Sequence, residues 1–348
     1  MSRRAQVAVP DIAGVLSADE VVESAEWIAG LQVPSGMIPW WPGGHCDPWN
    51  HVETAMALDV AGFHVEAERA YDWLADMQRD DGSWWNYYLP DGSVEEAKLD
   101  TNVCAYVATG VWHHWLCTRD RAFVDHLWPV VERAIDWVLG MRRADGTVLW
   151  ACTEFDRPWD YALLTGSASI AHALECAVQL ADLALAPRPD WAEAADLLTL
   201  AITDRPEAFE PKQRWAMDWY YPVLTGALSG EAATAHLAER WDEFVMHGRG
   251  VRCVNDEPWI TASETAECAI AHAAIGNLST ATDLLAWTRS HRLPSGAYWT
   301  GIVYPTMERF PFDETSAYTA AAVILAADAI THASPAGHLF APRAARHG

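Results

Sequence analysis

Residues 43–64, GGHCDPWNHVETAMALDVAGFH, carry the reading on which the fold turns. A glycine-punctuated loop reaches Asp47, a proline follows at Pro48, and an apolar run of small residues continues to Gly62. Proline suits the first turn of a helix, where its missing N–H would find no partner anyway, and glycine suits the position just past the end. Apolar residues fall on nearly every side of VETAMALDV, so the predicted helix has no wet face and belongs inside. The unit returns five times: DTNVCAYVATG from Asp100, LLTGSASIAHAL from Leu163, MDWYYPVLTGAL from Met217, ITASETAECAIA from Ile260 and FDETSAYTAAAV from Phe312. Recurrence at intervals of about 40 to 65 residues marks a repeat architecture.

Six segments of another character alternate with these. SADEVVESAEWIAGLQ from Ser17 opens with Ser-x-x-Glu, a capping-box pattern, and mixes apolar residues at helical spacing with acids. VEAERAYDWLADMQ from Val65 and RAFVDHLWPVVERAIDWVLGMRR from Arg121 share that pattern, as do RPDWAEAADLLTLAI from Arg188, GEAATAHLAERWDEFV from Gly230 and STATDLLAWTRSH from Ser279. Each has one wet face, so these are predicted outer helices. Inner-to-outer connections are tight. Outer-to-inner connections run about 10 to 24 residues and hold most of the aromatic residues; long loops in a compact domain are usually functional. Twelve helices, alternately outer and inner, predict an all-α fold, an (α/α)6 toroid. One domain is expected, with the ring over residues 17–332 and a peripheral, partly mobile tail at 333–348. No β–α alternation interrupts the pattern.

Composition narrows the chemistry. A formal charge of −25 repels phosphate backbones and anionic lipid, so neither nucleic acid nor membrane is an expected partner. No apolar run approaches the roughly 18 residues of a membrane span. The start, MSRRAQVAVPDIAGVL, is too weakly apolar for a signal peptide. Seven cysteines lack CxxC spacing, which points away from a disulfide framework or a zinc knuckle and towards the cytoplasm. Twenty tryptophans exceed what a core needs. Indole offers a flat apolar face and an N–H that wants a partner, a surface suited to sugar rings, terpenes and quaternary amines. No cofactor is indicated, and nothing in the sequence decides for or against a homodimer.

Four outer-to-inner loops begin alike: LQVPSGMIPWW at Leu31, MQRDDGSWWNYY at Met77, MRRADGTVLW at Met141 and HRLPSGAYW at His291. Asp-Gly or Ser-Gly makes a tight turn, and the Trp that follows covers the helix end just left. The pattern resembles the QW repeat of squalene cyclase and protein prenyltransferase α-toroids, and also the loops of six-hairpin glycoside hydrolases. The likeness covers most of the chain and speaks to fold more than to chemistry. The Asp-x-Asp-Asp acid of triterpene cyclases has no match, since Asp80 and Asp81 sit inside a turn repeat. Prenyltransferase zinc ligands and a basic diphosphate pocket have no counterpart either. The whole chain is similar to prenyltransferase-like proteins, and among them to hydrolases of methylmannose polysaccharides, which implies an intracellular endo-acting α-mannanase.

Glycoside hydrolysis takes two carboxyl groups astride the scissile bond, about 6.5 to 9.5 Å apart when water must fit between them. Candidates in the loops and first turns are Asp47, Glu53, Asp100, Glu154, Asp156, Asp160, Asp218, Asp256, Glu257, Glu264, Asp313 and Glu314. Aligning repeats on Glu-Thr or Asp-Thr puts Glu53, Asp100, Glu264 and Glu314 at one level, with Leu164 and Leu224 in the other two. Converging carboxylates repel and raise one another's pKa, as a general acid requires. Any one acid in a first turn serves equally as a cap. Glu264, beside Trp259 and Ile260, is the expected desolvated acid. Asp47, among Gly44, His45 and Asn50, is the expected ionised base.

His45 and His51 do not match a familiar metal spacing, so no metal is expected, and His113-His114 is expected to be structural. Stacking candidates are Trp40, Trp41, Trp84, Trp85, Tyr87, Tyr88, Trp150, Trp159, Trp219, Tyr220, Tyr221, Trp259 and Trp299, about half of them expected in the cleft. Trp49, Asn50 and His45 join them as expected substrate contacts. No Gly-x-Ser-x-Gly elbow supports a serine nucleophile. The favoured expectation is an inverting glycoside hydrolase of a neutral oligo- or polysaccharide. A partly O-methylated mannan would suit such a cleft, because its methyl groups give indole faces something to cover. A terpenoid cyclase or prenyl-handling enzyme is the second reading, and a non-catalytic carbohydrate- or lipid-binding toroid the third.

Overall fold

In the computed structural model, which describes residues 8–155 and 157–341, the chain winds as helical hairpins. Helices α1 (Ala18–Leu31), α2 (Pro48–Val60), α3 (His64–Met77), α4 (Thr101–Thr118), α5 (Arg121–Gly140), α6 (Leu164–Leu183) and α7 (Pro189–Asp204) come first. They are followed by α8 (Met217–Leu224), α9 (Gly230–Glu239), a single turn α10 (Trp241–Phe244), α11 (Ala262–Ala274), α12 (Leu278–Trp287) and α13 (Ala317–Thr331). The inner set α2, α4, α6, α8, α11 and α13 packs each on the next, and α13 returns to α2 to close the annulus. The outer set α1, α3, α5, α7, α9 and α12 lies around it. The predicted (α/α)6 toroid is the observed fold.

Patterning explains the two layers. Helix α5 buries Phe123, Val124, Leu127, Val131, Ala134, Ile135 and Val138, one stripe at helical spacing. Helix α13 buries Ala317 and every residue from Thr319 to Ala329, because neighbours cover all its sides and alanines let them approach. The capping box at Ser17 and Glu20 forms as its sequence predicts.

The turn repeat stitches the ring. Gly36 and Gly82 hold φ of 100° and 96°, a region that side chains avoid. A Cβ on Gly36 would lie 2.2 Å from the Arg69 carbonyl oxygen of α3, and one on Gly82 2.3 Å from that of Arg133 in α5. Gly146 and Gly296 repeat the motif against α7 and α1. Gln78 Nε2 donates to the carbonyls of Gly82 (3.0 Å) and Val130 (2.8 Å), as Gln32 Nε2 does to those of Gly36 and Glu66 (2.9 Å each). Each loop is thereby fastened to the next outer helix.

Three features differ from expectation. The helices expected from Ile260 and Phe312 begin at Ala262 and Ala317, because the preceding residues extend over the rim. The long loops hold short antiparallel strands: β1 (Tyr87–Tyr88) with β2 (Val94–Glu96), and β3 (Lys98–Asp100) with β4 (Ala151–Thr153). A sheet in the order β5-β6-β7-β8-β9 joins β5 (Val245–Met246), β6 (Gly250–Arg252), β7 (Trp259–Thr261), β8 (Gly301–Val303) and β9 (Glu308–Arg309). Strands of two or three residues are too short to show alternation. The tail expected to be peripheral is packed as far as it is described. Ser334, Ala336, Leu339 and Phe340 are buried, and Ser334 donates its N–H and hydroxyl to Asp328 of α13 (2.7 and 2.5 Å). It closes the ring toward the C-terminal ends of the inner helices; residues 342–348 lie outside the described ones.

Replacing Gly82 by Ala is expected to lower the unfolding free energy by about 2–4 kcal/mol, strain and overlap acting together. At Gly92 (φ 83°), where a Cβ meets nothing within 4 Å, the same change is expected to cost only about 1–2 kcal/mol. Urea midpoints of the two variants make the comparison, and equal losses would contradict the stitch.

Candidate active site

A cavity of ≈ 570 Å³ opens where the inner helices begin, and all six contribute residues from their first turns to its wall. Six carboxyl groups line it: Asp47, Glu53, Asp100, Asp218, Glu264 and Glu267. Helix N-termini favour such groups, because free N–H groups and the helix dipole stabilise negative charge.

Asp47 caps α2 and is 4% exposed. Its Oδ1 accepts from the Asn50 backbone N–H (3.0 Å), and its Oδ2 accepts from Asn50 Nδ2 and Trp40 Nε1 (2.7 Å each). Burial raises its pKa although these donors favour the anion, so its setting is less polar than expected. Glu53 lies deeper on α2, where Oε1 accepts from Trp49 Nε1 (3.0 Å) and the Tyr106 hydroxyl (3.3 Å). Burial, reinforced by the charges of Asp47 and Glu264, pushes Glu53 up to about 7. Glu267 of α11 accepts from the Tyr220 hydroxyl, and burial together with the charges of Glu53 and Glu264 holds its carboxyl well above the usual range. Two desolvated carboxyls facing one field do not both ionise at neutral pH, so this pair retains a proton.

Glu264 occupies the first turn of α11, half-buried, its Oε2 accepting from the Ser263 hydroxyl (2.8 Å). Deep desolvation acts on Glu53 and Glu267. Asp100 caps α4 and accepts from the N–H groups of Asn102 (3.0 Å) and Val103 (3.4 Å). Asp218, on the first turn of α8, accepts from the Thr165 hydroxyl at the start of α6 (2.6 Å).

The expected common level of Glu53, Asp100, Glu264 and Glu314 does not hold. Asp100 is a cap, Glu264 is the third residue of its helix, and Glu314 precedes the cap Ser316, bonded to the Thr300 hydroxyl (2.9 Å) away from the cavity lining. Counting from the caps gives the true register. Glu53 follows Asp47 by six residues (53 − 47), and Glu267 follows Thr261 by six (267 − 261). Sequence reasoning missed Glu267 because it sits mid-helix in AECAIA, without a turn signal, and the register was taken from Glu-Thr rather than from the caps.

Of the expected aromatic contacts, Trp40, Trp49, Tyr87 and Trp150 line the cavity, joined by Tyr161, Trp215 and Tyr318, which had not been singled out. Trp84, Tyr88, Trp219, Tyr220 and Tyr221 are instead buried in the protein wall; Trp84 Nε1 donates to the Leu74 carbonyl of the helix just left (2.9 Å). Trp41, Trp85, Trp159, Trp259 and Trp299 pack among the loops outside the lining, Trp85 and Trp299 beneath Arg79 (3.9 Å) and Arg309 (4.0 Å). They shape the rim rather than the cleft. His45 stacks behind Tyr87 (4.3 Å) and bonds Glu95 (2.6 Å), whereas both ring nitrogens of His51 are engaged by the backbone of Ile38 and Ala70. The two histidines serve different neighbours. His114 bonds the buried Asp59 (2.9 Å), in keeping with a structural role. Glu154, Asp160, Asp256, Glu257 and Asp313 are exposed, and Asp156 lies outside the described residues.

Several solved structures share the fold. A glycosidase matches with TM-score 0.73 at 12% identity, over 91% of this chain and 97% of its own. A D-mannose isomerase (TM-score 0.67, 12% identity, 90% and 96%) and a sugar epimerase from a ruminal bacterium (0.67, 10%, 90% and 98%) also match. At such identities the likeness shows the fold alone. No family model matches the sequence. A toroid whose helix N-termini gather carboxyls and indoles in one cavity has the groups that glycoside hydrolysis takes. The sequence is 49% identical over 333 residues, 96% of this chain and 92% of the other, to the MMP endo-(1,4)-3-O-methyl-α-D-mannosidase of Mycolicibacterium hassiacum. The chain belongs to that mannosidase's family, and it is a glycoside hydrolase; the cyclase and non-catalytic readings fall. No helix among the described residues is long and apolar enough to cross a membrane.

The buried pair makes stability depend on pH. In the unfolded chain Glu53 and Glu267 titrate near 4.5, and in the folded chain higher, so the folded state keeps protons that the unfolded state has lost. Their contribution is complete below pH 4.5 and is lost as pH rises through the folded values. Glu267→Gln is expected to flatten that fall, by up to about 1.4 kcal/mol per pH unit. Urea midpoints between about pH 5 and 8 test it; a variant with the wild-type slope contradicts the assignment.

Proposed function

We propose that the protein hydrolyses methylmannose polysaccharide inside the cell, cutting internal α-(1,4) bonds with inversion. The relative's named activity supports the substrate, and the convergence of Asp47 and Glu264 in one indole-lined cavity carries the mechanism. Seven cysteines without CxxC spacing accord with a reducing compartment.

Asp47 enters the cavity from α2 and Glu264 from α11, with α13 and its Tyr318 between them. Placed on either side of α13 and facing one hollow, the two carboxyls can take the scissile bond and a water between them. Asp47 acts as base: three donors orient its carboxylate, which takes a proton from that water as the water oxygen bonds to the anomeric carbon. Glu264 acts as acid, giving its proton to the departing glycosidic oxygen as the old carbon–oxygen bond breaks. The proton retained by Glu53 and Glu267 limits the negative charge beneath them.

The assay is digestion of methylmannose polysaccharide with the products sized and their anomers followed by NMR. Shortened oligosaccharides released as the inverted anomer are expected. Asp47→Asn and Glu264→Gln are each expected to lower kcat by about 10²–10⁴-fold with unfolding midpoints kept. Full turnover in either variant refutes its role, and an intact polymer with the wild type refutes the substrate.

A further inference from the structure

The sequence contains two lysines, Lys98 and Lys212, among 23 basic residues, and both line the cavity. The other basic residues are arginines; some pair with carboxylates, as Arg143 does with Asp160, and some lie over rim indoles, as Arg79 and Arg309 do. The lysines differ in lining the cavity, where no arginine is found among the described residues. Lys98 Nζ rests 4.8 Å from the centre of the Trp150 ring, and Lys212 Nζ 5.6 Å from that of Tyr161. Those two rings stack on each other at 5.6 Å and 26°. The four side chains form one group in the cavity lining, an aromatic pair with an ammonium beside each ring.

The group is held in place. The Trp150 N–H donates to the Tyr161 carbonyl (2.9 Å), the Thr101 N–H at the start of α4 donates to the Trp150 carbonyl (2.9 Å), and Lys98 pairs with Thr153 across β3 and β4. Its position in the ring is opposite the reacting acids. Asp47 and Glu264 come from the arc α11–α13–α2, whereas Trp150, Tyr161 and Lys212 belong to the loops that feed α6 and α8, and Lys98 to the strand that feeds α4.

We propose that this α4–α6–α8 wall is a sugar subsite remote from the scissile bond, seating one neutral, O-methylated pyranose against Trp150 and Tyr161. The inference rests on the carbohydrate substrate proposed above. An ammonium has three donors and no acceptor, so it suits oxygens that can only accept. A methyl ether oxygen is such a group, and it leaves a buried carboxylate nothing to bond. The stacked rings cover the methyl and the C–H face of the sugar. The acids beside the lysines, Asp100 and Asp218, accept from hydroxyls left unmethylated. Six carboxyls against two ammoniums leave the cavity net negative, so an anionic ligand is disfavoured.

The test compares wild type, Lys98→Met/Lys212→Met and Trp150→Ala on methylated manno-oligosaccharides of increasing length, reading KM and kcat, and reading Kd by calorimetry in an Asp47→Asn background. Methionine keeps the apolar stem and removes the donors. KM and Kd are expected to rise about tenfold or more for the longer chains and far less for a disaccharide, with the loss on KM rather than kcat. Equal effects at every length, or none at any length, overturn the subsite while leaving the hydrolase reading intact. Tighter wild-type binding of a uronate-terminated oligosaccharide than of the neutral one also overturns it, since the lysines would then read an acid. A wild type that cleaves no mannan but binds neutral oligosaccharides through these lysines overturns the proposed substrate and keeps the subsite.

Discussion

Burial of six helices on every side is the constraint from which the molecule follows. A helix with no wet face needs neighbours all round, and six of them satisfy one another by closing a ring inside a second layer. Closure brings six N-termini to the rim of one hollow, together with their unpaired N–H groups and the positive ends of their dipoles. Carboxyl groups therefore belong there on structural grounds, and Asp47 and Asp100 do act as caps. Their concentration around a single cavity turns capping chemistry into a reactive site.

Depth then separates the carboxyl groups from one another. Asp47 keeps three donors around it, whereas Glu53 and Glu267, a turn deeper, face the apolar interior and one another's charge with fewer donors. Desolvation outweighs hydrogen bonding for the deeper pair, and the proton stays. The other wall balances the acids differently, with two ammoniums over aromatic faces. A site of this kind needs a firm frame. The glycine turns that bring each loop within backbone contact of the next outer helix provide it, and the packed segment at Ser334–Phe340 closes the far end.

The repeat was legible because its signals are local. Pro48, the capping box at Ser17 and Glu20, and the Gly of each turn act over four or five residues, and the contrast between wet and dry helices survives in any single stretch. Asp47 and Glu264 could be singled out for the same reason, as polar residues at predicted helix starts. Glu267 could not, because nothing near it in the chain differs from an ordinary helix interior. Trp84 and Trp150 follow the same turn motif, yet one is sealed beneath α3 and the other faces the cavity.

The amino-acid sequence by itself determined the ring, its two layers, the face that carries the long loops and all but Glu267 of the acids that reach the middle, since periodicity and turn chemistry are properties of neighbouring residues. Only the tertiary structure decided which acids meet, how deeply each is desolvated and which indoles face inward. Those depend on distances between segments far apart in the chain, such as Glu53 and Glu267, which share a field only once α2 and α11 stand in the same ring.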